Sequence, residues 1–484
     1  MQSFYVQNFG CRATQADGAA IERQFRELGA KGARSAEAAE IVVLNTCTVT
    51  ASADCDARAA IRRIHRASPS CKIVVTGCYA QRAPAEISRL EGVACVIGNS
   101  HKHELAELML ERKPPAVDAS STILESQARG FVPLSSLMNS SSADSASRGR
   151  IFVSDIFAHT ELQAAPVFDG EYERTRPNLK VQDGCDNRCS FCVIPYVRGS
   201  SRSLALNVIL REIRGLVSAG YQEVVISGIN LGRWGRDFET PARFEDLIGE
   251  ILDGSDLRKL RISSVEPMDW SSSLIRLMTE SPRIAKHAHV PLQSGSDRIL
   301  RLMHRKYRPW HYREKIEQIR AAMPTAAIGA DVMVGFPGET DDDFEETCQL
   351  IQNLPLTYLH VFSYSARPGT PAALLKDQVP GAVVRERSQV LRELGRERKR
   401  AFMKTFLGTI VEAITLHGFD GKYTEALSDN FISLRLAGKH AANCWMEVRV
   451  TGAVDGALVA RSDVPRLTVN SCEWRRPGYS TSGA

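Results

Sequence analysis

Three cysteines, Cys185, Cys189 and Cys192, lie in one short loop that follows a strand-like run at 179–182. Thiolates select iron–sulfur clusters or zinc over harder metals. A structural zinc ion takes a fourth protein ligand, and the neighbouring sequence has no Cys or His pair to supply one. Three thiolates can hold three irons of a 4Fe–4S cluster and leave the fourth iron open to a small molecule. The spacing therefore predicts a strand, a turn at Asp183-Gly184 and a cluster-binding loop.

Length and composition indicate an ordinary globular protein of several domains. The chain has 484 residues, enough for about three domains, and its 43% apolar and 24% charged residues are typical of soluble proteins. Residues 1–5 contain no basic segment before an apolar core, so we expect no signal peptide. No apolar run approaches the ~20 residues that cross a bilayer. We therefore expect a cytoplasmic protein without a membrane partner, whose cysteines bind metals rather than form disulfides.

The charge of the chain permits a nucleic-acid partner without requiring one. The formal net charge is +5, from 61 Lys+Arg against 56 Asp+Glu. Arg58, Arg62 and Arg66 recur at helical spacing, and a second basic run lies at 396–400. Each run is compatible with RNA contact or with a solvated helix face.

Residues 1–115 alternate strand and helix patterns. The predicted strands are at 4–8, 40–45, 72–77 and 93–98, and the predicted helices at 16–28, 51–67, 85–90 and 101–111. Apolar strands separated by helices are typical of a parallel sheet covered on both faces. The pattern predicts an α/β domain with a doubly wound sheet.

The rest of the chain divides into a linker, a second α/β domain, a small β domain and a tail. Residues 116–174 are predicted to be a linker with a serine-rich insert at 119–150. Residues 175–405 predict six βα units, a partial barrel with its site at the carboxyl ends of the strands. The predicted strands are at 179–182, 223–227, 259–263, 287–291, 329–334 and 358–362. Residues 406–470 predict a small antiparallel barrel from runs at 409–414, 431–436, 447–450 and 457–459, followed by the tail 471–484.

A second metal site is predicted from three cysteines that are far apart in the sequence. Cys11, Cys47 and Cys78 each come just after a predicted strand. The carboxyl ends of parallel strands share one edge of a sheet, so these thiols are expected to converge. Cys95 lies inside an apolar strand and is expected to be a core thiol. Cys71 begins the strand that Cys78 ends, which places it at the opposite edge.

The whole pattern resembles the radical S-adenosylmethionine methylthiotransferases over about residues 2–465. The segments that carry the resemblance are NTCTVT (45–50), VTGCYAQ (75–81), QDGC (182–185), SGINLG (227–232), SSVEP (263–267), PLQSGS (291–296) and GFPGET (335–340). Within this family, residues 48–50 and 79–81 resemble the branch that acts on N6-threonylcarbamoyladenosine in tRNA. The family tends to have Asn where this chain has Thr14, so the contacts of the loop around Cys11 are expected to differ.

The resemblance implies a flavodoxin-like N-terminal domain, a radical S-adenosylmethionine barrel and a TRAM-like RNA-binding C-terminal barrel. It also implies two 4Fe–4S clusters and S-adenosylmethionine as cofactors. The cluster on the 185–192 loop would bind and cleave S-adenosylmethionine to a 5′-deoxyadenosyl radical, which removes hydrogen from carbon 2 of adenine. The cluster on Cys11, Cys47 and Cys78 would carry the sulfur that is methylated and transferred.

Further residues are expected to line the S-adenosylmethionine pocket. Phe191, Gly228, Gln293 and Gly335 fall in the cysteine loop or near strand ends of the partial barrel. Phe191 would pack on the cofactor's adenine, with ordinary loop packing as the alternative. The alternative role of the glycines is turn formation. The acidic run 341–343 is expected to begin a helix rather than to bind a metal.

The expected function is conversion of N6-threonylcarbamoyladenosine next to the anticodon to its 2-methylthio derivative. The implied partners are the tRNA anticodon stem-loop, an electron donor such as a flavodoxin or ferredoxin, and a sulfur source. The alternatives within the family are methylthiolation of isopentenyladenosine in tRNA or of an aspartate in a ribosomal protein. Alternatives of another class are a non-catalytic iron–sulfur protein or an RNA-binding protein with zinc. An electron carrier would need neither a six-unit barrel nor an RNA-binding module.

Overall fold

The computed structural model describes residues 2–110, 149–159, 162, 175–454 and 456–462. The predicted tail and most of the predicted linker, including nearly all of its serine-rich insert, lie outside the described residues. The chain divides into two compact units. The first contains Met1–Phe9, Ile21–Cys47 and Ala53–Asp155, and the second contains Gly10–Ala20, Thr48–Ser52 and Ile156–Ala484. In the part of the chain that the structure describes, every helix is too short or too polar to span a bilayer.

The N-terminal sheet has six parallel strands in the order β2-β1-β3-β4-β5-β6. The strands are β1 Ser3–Asn8, β2 Lys31–Gly32, β3 Ile41–Thr46, β4 Lys72–Gly77, β5 Val93–Ile97 and β6 Arg150–Phe152. The helices are α1 Arg12–Glu27, α2 Ala51–Ala67, α3 Cys78–Arg82, α4 Pro84–Ile87 and α5 Leu105–Met109.

Two separate apolar cores cover the two faces of this sheet. On one face, Ile21 and Phe25 of α1 pack against the sheet, and the Phe25 ring stacks 4.7 Å from Phe4. On the other face, Ile61 and Ile64 of α2 are buried among residues of β3 and β4. Helices on both faces explain why β3 and β4 are almost continuously apolar. The doubly wound fold predicted from the sequence is confirmed.

Two strands of this sheet escape the sequence pattern. β2 and β6 have two and three residues, which are too few to show a strand period. β6 pairs with β5 although it lies within residues 116–174. Assigning all of that segment to a linker is therefore wrong, because part of it completes the sheet.

The second unit contains the partial barrel. Its strands are β7 Asn178–Asp183, β8 Arg202–Ser203, β9 Glu223–Gly228, β10 Lys259–Ile262, β11 His287–His289, β12 Ala327–Val334 and β13 Tyr358–Ser363. Its helices are α6 Ile194–Arg198, α7 Leu206–Ser218, α8 Phe244–Asp253, α9 Ser272–Glu280, α10 Asp297–Leu302, α11 Pro309–Ala322, α12 Asp341–Asn353 and α13 Gly381–Lys404. β8 pairs antiparallel with β7, and the other six strands are parallel. A bridge between Leu260 and Ile284 joins the two halves.

The strands of the partial barrel alternate between an apolar outside and a polar inside. Leu179 and Val181 of β7 lie in the core that the helices cover. Between them stands Lys180, which faces the other way because successive side chains alternate in a strand. The same alternation turns Arg261 and Asp331 inward. The inside of the barrel is therefore lined with polar groups.

A closed five-stranded barrel follows α13. Its strands are β14 Ile410–Phe419, β15 Tyr423–Ser428, β16 Ser433–Ala437, β17 Trp445–Val454 and β18 Ala457–Arg461, in the order β14-β15-β16-β18-β17. All pairs are antiparallel except β16–β18, which is parallel. The sequence pattern missed β15, in which Ala426, Leu427 and Ser428 are buried in succession and so show no alternation.

The small barrel closes the amino-terminal end of the partial barrel. Arg261 binds the buried Glu223 carboxylate and donates to the backbone oxygens of Ser428 and Asp429. The Phe431 ring stacks 4.3 Å from His287. The small barrel thus covers this end, and the carboxyl ends of the strands are left open for a site.

Candidate functional site

The cysteine loop begins where β7 ends. Gly184 has a φ of 72°, and a Cβ there would lie 1.9 Å from the Ser200 oxygen, so only glycine fits. The Cys185 N–H donates to the Gly199 oxygen at 3.1 Å, and the Cys192 N–H donates to the Cys189 oxygen at 3.1 Å. The loop thus has a defined shape at the carboxyl end of the barrel.

A buried network of charges anchors this loop. The Lys180 ammonium binds Asp17 and lies 2.7 Å from Asp183. The Arg198 guanidinium donates to Asp183 at 2.9 Å and to Asp17 at 2.9 Å. Burial would raise the pKa of Asp183, but Arg198 and Lys180 together hold it below the usual range. The Asp183 carboxylate therefore stays ionised, and the network ties β7 and α6 to residue 17.

Two thiols of the loop, Cys192 and Cys185, are poor thiolates by themselves. Burial, together with the nearby Cys189, raises the pKa of Cys192 to about 12. Burial also raises the pKa of Cys185, again with a contribution from Cys189. Neighbouring sulfurs of the loop thus oppose the ionisation of Cys185 and Cys192, and a bound cation would relieve that repulsion. Soft sulfur donors fit an iron–sulfur cluster.

Two side chains donate hydrogen bonds to the cysteine sulfurs. Arg305 Nη1 lies 3.3 Å from Cys189 Sγ, and Asn230 Nδ2 lies 3.7 Å from Cys185 Sγ. Hydrogen bonds to ligand sulfurs stabilise the negative charge of a cluster and tune its potential. Arg305 is buried and also binds Glu266. A guanidinium and a carboxylate therefore stand side by side next to Cys189.

Sequence reasoning did not select these three residues. Asn230 and Glu266 lie within the SGINLG and SSVEP segments, so their motif signal was present. Arg305 has no signal in the sequence, because only the fold brings it to Cys189. A small pocket lined by Cys189, Glu266, Arg305 and Tyr307 separates the loop from the segment after α10.

Three of the expected pocket residues also have structural roles. The Gly335 N–H donates to Glu339 at 2.8 Å, and a Cβ there would lie 2.4 Å from Val384. A Cβ on Gly228 would lie 2.9 Å from the Gln182 amide oxygen. Gln293 has a φ of 63°, a left-handed conformation that a non-glycine residue seldom adopts. Turn formation and close packing therefore explain in part why these residue types occur at these positions.

The fourth expected pocket residue belongs to an aromatic cluster. The Phe191 ring makes an edge contact with Phe336 at 6.5 Å, and Phe336 in turn contacts Tyr364 at 5.6 Å. The Tyr364 hydroxyl has no hydrogen-bond partner among the described residues. The buried Ser227 hydroxyl at the end of β9 also has none within the described ranges. Unpaired polar atoms beside the cysteine loop are what a polar ligand would satisfy.

The structure places two cysteines of the N-terminal sheet at one edge. Thr46 of β3 and Gly77 of β4 are register partners, and Cys47 and Cys78 are the residues that follow them. Both cysteines are buried, and Cys78 Sγ accepts from Asn99 Nδ2 at 3.7 Å. Gly77 allows this approach, because a Cβ there would lie 2.3 Å from the Thr46 oxygen.

The remaining cysteines of the N-terminal region differ in their surroundings. Cys11 is exposed, belongs to the second unit and lies 3.6 Å from the Thr14 hydroxyl. Cys95 lies in the apolar core of the first unit, where burial raises its pKa to about 11. A thiol in that setting is a packing residue.

The basic helix face is partly used within the protein. Arg58 donates to the Tyr79 hydroxyl at 2.8 Å and to Glu86 at 2.9 Å. Arg62 and Arg66 are exposed. The helix face that remains open to a partner is therefore smaller than the sequence pattern indicates.

Comparison with known proteins identifies the family. The model of the Radical SAM superfamily matches residues 179–351, and Uncharacterized protein family UPF0004 matches residues 3–98. The protein of Aquifex aeolicus called threonylcarbamoyladenosine tRNA methylthiotransferase MtaB is 33% identical over 89% of this chain and 96% of its own length. Its namesake in Bacillus subtilis is 32% identical over 90% of this chain and 91% of its own length. This chain belongs to the radical S-adenosylmethionine methylthiotransferase family.

Other members of the methylthiotransferase family carry a different name at similar identity. The tRNA-2-methylthio-N(6)-dimethylallyladenosine synthase of Acidothermus cellulolyticus is 32% identical over 95% of this chain and 85% of its own length. Sequence identity therefore shows the family and the enzyme class but separates the branches weakly. The resemblance noted from the motifs is confirmed, and membership in an enzyme family excludes the non-catalytic alternatives.

Solved structures confirm the fold. The radical S-adenosylmethionine methyltransferase TsrM of Kitasatospora setae superimposes with a TM-score of 0.53 at 14% identity, covering 77% of this chain and 75% of that chain. The cobalamin-dependent radical enzyme OxsB gives a TM-score of 0.50 at 12% identity, covering 84% of this chain and 56% of that chain. At such low identity the likeness concerns architecture alone.

Proposed function

We propose that this methylthiotransferase converts N6-threonylcarbamoyladenosine, next to the anticodon of tRNA, to its 2-methylthio derivative. The choice of substrate depends on one observation, the polar inside of the partial barrel. An isopentenyl group is a hydrocarbon, whereas a threonylcarbamoyl group carries a carboxylate, a hydroxyl and a urea. Burying a hydrocarbon against His289, Asp331 and His360 would remove polar groups from water without supplying new hydrogen bonds to them. The polar lining therefore favours the polar substrate.

The residues of the cysteine loop fit a 4Fe–4S cluster on Cys185, Cys189 and Cys192. When bound and reduced, this cluster supplies the electron that cleaves S-adenosylmethionine and so provides the 5′-deoxyadenosyl radical. The methionyl end of S-adenosylmethionine carries an ammonium and a carboxylate. Glu266 and Arg305 offer the complementary charges beside Cys189. We assign these two residues to holding that end of the cofactor.

The protein's own task is to position the reactants and to keep out water. Carbon 2 of adenine carries a hydrogen that is too strongly bound and too weakly acidic for a side-chain base to remove. The protein therefore contributes to catalysis by orienting the cofactor and the substrate. Phe191, Gly228, Gln293 and Gly335 are proposed to line the S-adenosylmethionine pocket at the carboxyl ends of the strands, around the cysteine loop.

A second 4Fe–4S cluster is proposed on Cys11, Cys47 and Cys78, as the source of the methylthio sulfur. The adjacency of Cys47 and Cys78 at one sheet edge supports it, and Cys11 is included because of its place in the family pattern. The reaction further needs an electron donor, such as a flavodoxin or ferredoxin, and a sulfur source. The protein is proposed to act in the cytoplasm. The C-terminal barrel is proposed to bind the anticodon stem-loop.

Turnover of three model substrates tests the choice of branch. Anticodon stem-loops bearing adenosine, N6-threonylcarbamoyladenosine or isopentenyladenosine would be incubated with anaerobically reconstituted protein, reductant and S-adenosylmethionine. We expect the threonylcarbamoylated stem-loop to react at least ~100-fold faster than the others, because sites that hydrogen-bond a substrate reject analogues that lack the group. Mass spectrometry of the nucleosides gives the yield. Product only on the isopentenylated stem-loop would show that the branch is wrong.

The assignment of Arg305 predicts weaker cofactor binding in Arg305→Met. Hydrogen bonds to charged groups contribute about 1.5–3 kcal/mol, so the dissociation constant for S-adenosylmethionine should rise roughly 10- to 100-fold. Anaerobic calorimetry measures this constant, and iron analysis of the same samples reports cluster content. Arg301→Met is the matched control, because Arg301 is exposed on α10 and, among the described residues, its ion pair is with its neighbour Asp297. Unchanged affinity in Arg305→Met with full iron content would refute the role.

A further inference from the structure

A chain of polar side chains crosses β11, β12 and β13 on the inside of the partial barrel. His289 Nε2 lies 3.0 Å from Asp331 Oδ1, and His360 Nδ1 lies 3.3 Å from the same oxygen. The Tyr358 hydroxyl lies 2.9 Å from His289 Nδ1 and 2.7 Å from His287 Nε2. The Asp331 carboxylate thus contacts two imidazoles, and Tyr358 hydrogen-bonds the second ring nitrogen of His289.

This cluster lies below the mouth of the barrel and above its floor. Asp331 and His360 are register partners, three positions before the paired ends of β12 and β13 at Val334 and Ser363. With a rise of about 3.3 Å per residue, the cluster is about 10 Å below the mouth. Phe431 closes the barrel under His287. A group that enters from the mouth therefore reaches the cluster before it meets the floor.

The two outer members of the cluster are open to a ligand. The His360 side chain is 52% exposed, and Asp331 is 22% exposed. Both ring nitrogens of His289 are engaged, whereas His360 Nε2 has no hydrogen-bond partner among the described residues. His360 therefore presents a free hydrogen-bonding atom, with an acceptor beside it on Asp331.

We propose that His360 and Asp331 form the subsite for the N6-threonylcarbamoyl side chain of the substrate. This inference rests on the proposed function and adds to it the residues that read the substituent. Because His360 Nδ1–H donates to Asp331, the neutral imidazole offers Nε2 as an acceptor for the hydroxyl of the threonyl group, and Asp331 is a second acceptor beside it. The histidines hold the pKa of Asp331 below its usual value despite its burial, so it remains an acceptor. His289 and Tyr358 position Asp331 and do not touch the substrate.

Binding of modified stem-loops to variants of His360 tests the subsite. Dissociation constants would be measured by anaerobic fluorescence anisotropy for stem-loops bearing adenosine, N6-threonylcarbamoyladenosine and isopentenyladenosine. We expect wild type to bind the threonylcarbamoylated stem-loop about 10- to 100-fold more tightly than the unmodified one. His360→Leu should reduce this preference to within about threefold, and His360→Asn should retain part of it. The control is His65→Leu, a partly exposed histidine on α2.

Each other outcome overturns the assignment. An unchanged preference in His360→Leu places the N6 side chain elsewhere, and equal loss of all three stem-loops indicates a role in folding or general RNA binding. A metal ion beyond the cluster irons that is present in wild type and lost in His360→Leu would make the cluster a metal site. Turnover by the wild-type protein distinguishes failure of the subsite assignment from failure of the proposed function. If wild type yields no product on the threonylcarbamoylated stem-loop, the proposed function fails, whatever the variants bind.

Discussion

Replacing Cys185, Cys189 and Cys192 together by alanine should reduce formation of 5′-deoxyadenosine by about 1,000-fold or more. The three sulfurs stand on one loop at the mouth of the barrel, beside the donors Arg305 and Asn230. Without a cluster at this loop the protein has no means of delivering an electron to the sulfonium. Liquid chromatography of S-adenosylmethionine cleavage products measures the loss. Iron analysis should show a decrease of about four atoms per chain, the content of one 4Fe–4S cluster.

The control for this variant is Cys348→Ala. Cys348 is buried on α12 in the apolar core of the same unit, so its removal leaves a small cavity without touching the loop. It should retain its iron and its cleavage activity. Cleavage at wild-type rates in the triple alanine variant would place the radical chemistry at a different site. Circular dichroism of both variants shows whether the loop change has unfolded the barrel.

The parallel strands of this protein can be predicted from sequence because they are long and apolar. Burial on both faces gives β3 and β4 uninterrupted apolar runs at 41–44 and 73–75, and that signal is local. β6 has no such signal, since its place in the sheet depends on pairing with β5 across a long stretch of sequence. β15 is missed for a related reason, because burial of consecutive residues in a closed barrel removes the period of two.

The same division between local and distant signals applies to the candidate site. The cysteines are recognisable because three of them share one short loop and the other three each come just after a strand. Arg305 and His360 give no such sign, since a charged residue in the sequence is most often a solvated one. Arg305 is a candidate site residue because the chain after α10 brings it to Cys189. His360 is a candidate because the register of β12 and β13 places it opposite Asp331.

The polar inside of the barrel explains where the predicted ligand-binding groups lie. Side chains alternate between the two faces of a strand, so the residues between the outward-facing apolar ones face the inside of the barrel, where they are polar. At the floor these residues pair with each other, as Arg261 does with Glu223. Nearer the mouth, the buried Ser227 Oγ lacks a partner among the residues that the structure describes, and the exposed His360 Nε2 is open to a ligand. An unpaired polar atom costs free energy when it is buried, so Ser227 indicates that a polar ligand binds near the mouth.

Replacing Cys47 and Cys78 together by alanine should separate the two halves of the reaction. The variant should still cleave S-adenosylmethionine, because the loop at 185–192 and its donors belong to the other unit. It should form methylthiolated nucleoside at least about 100-fold more slowly than wild type, because the thiols proposed to hold the sulfur-carrying cluster are lost. Parallel assays of 5′-deoxyadenosine and of 2-methylthio nucleoside on one sample measure both halves.

The control for this pair is Cys95→Ala, in the same sheet. Cys95 lies within β5, with its side chain in the apolar core and away from the sheet edge, so both products should persist. Iron content distinguishes a lost cluster from a distorted one, since the Cys47 and Cys78 variant should retain about four atoms per chain. Loss of S-adenosylmethionine cleavage together with methylthiolation would contradict the proposed division of labour. Retention of both products would remove these cysteines from the chemistry and leave the sulfur to be delivered from outside the protein.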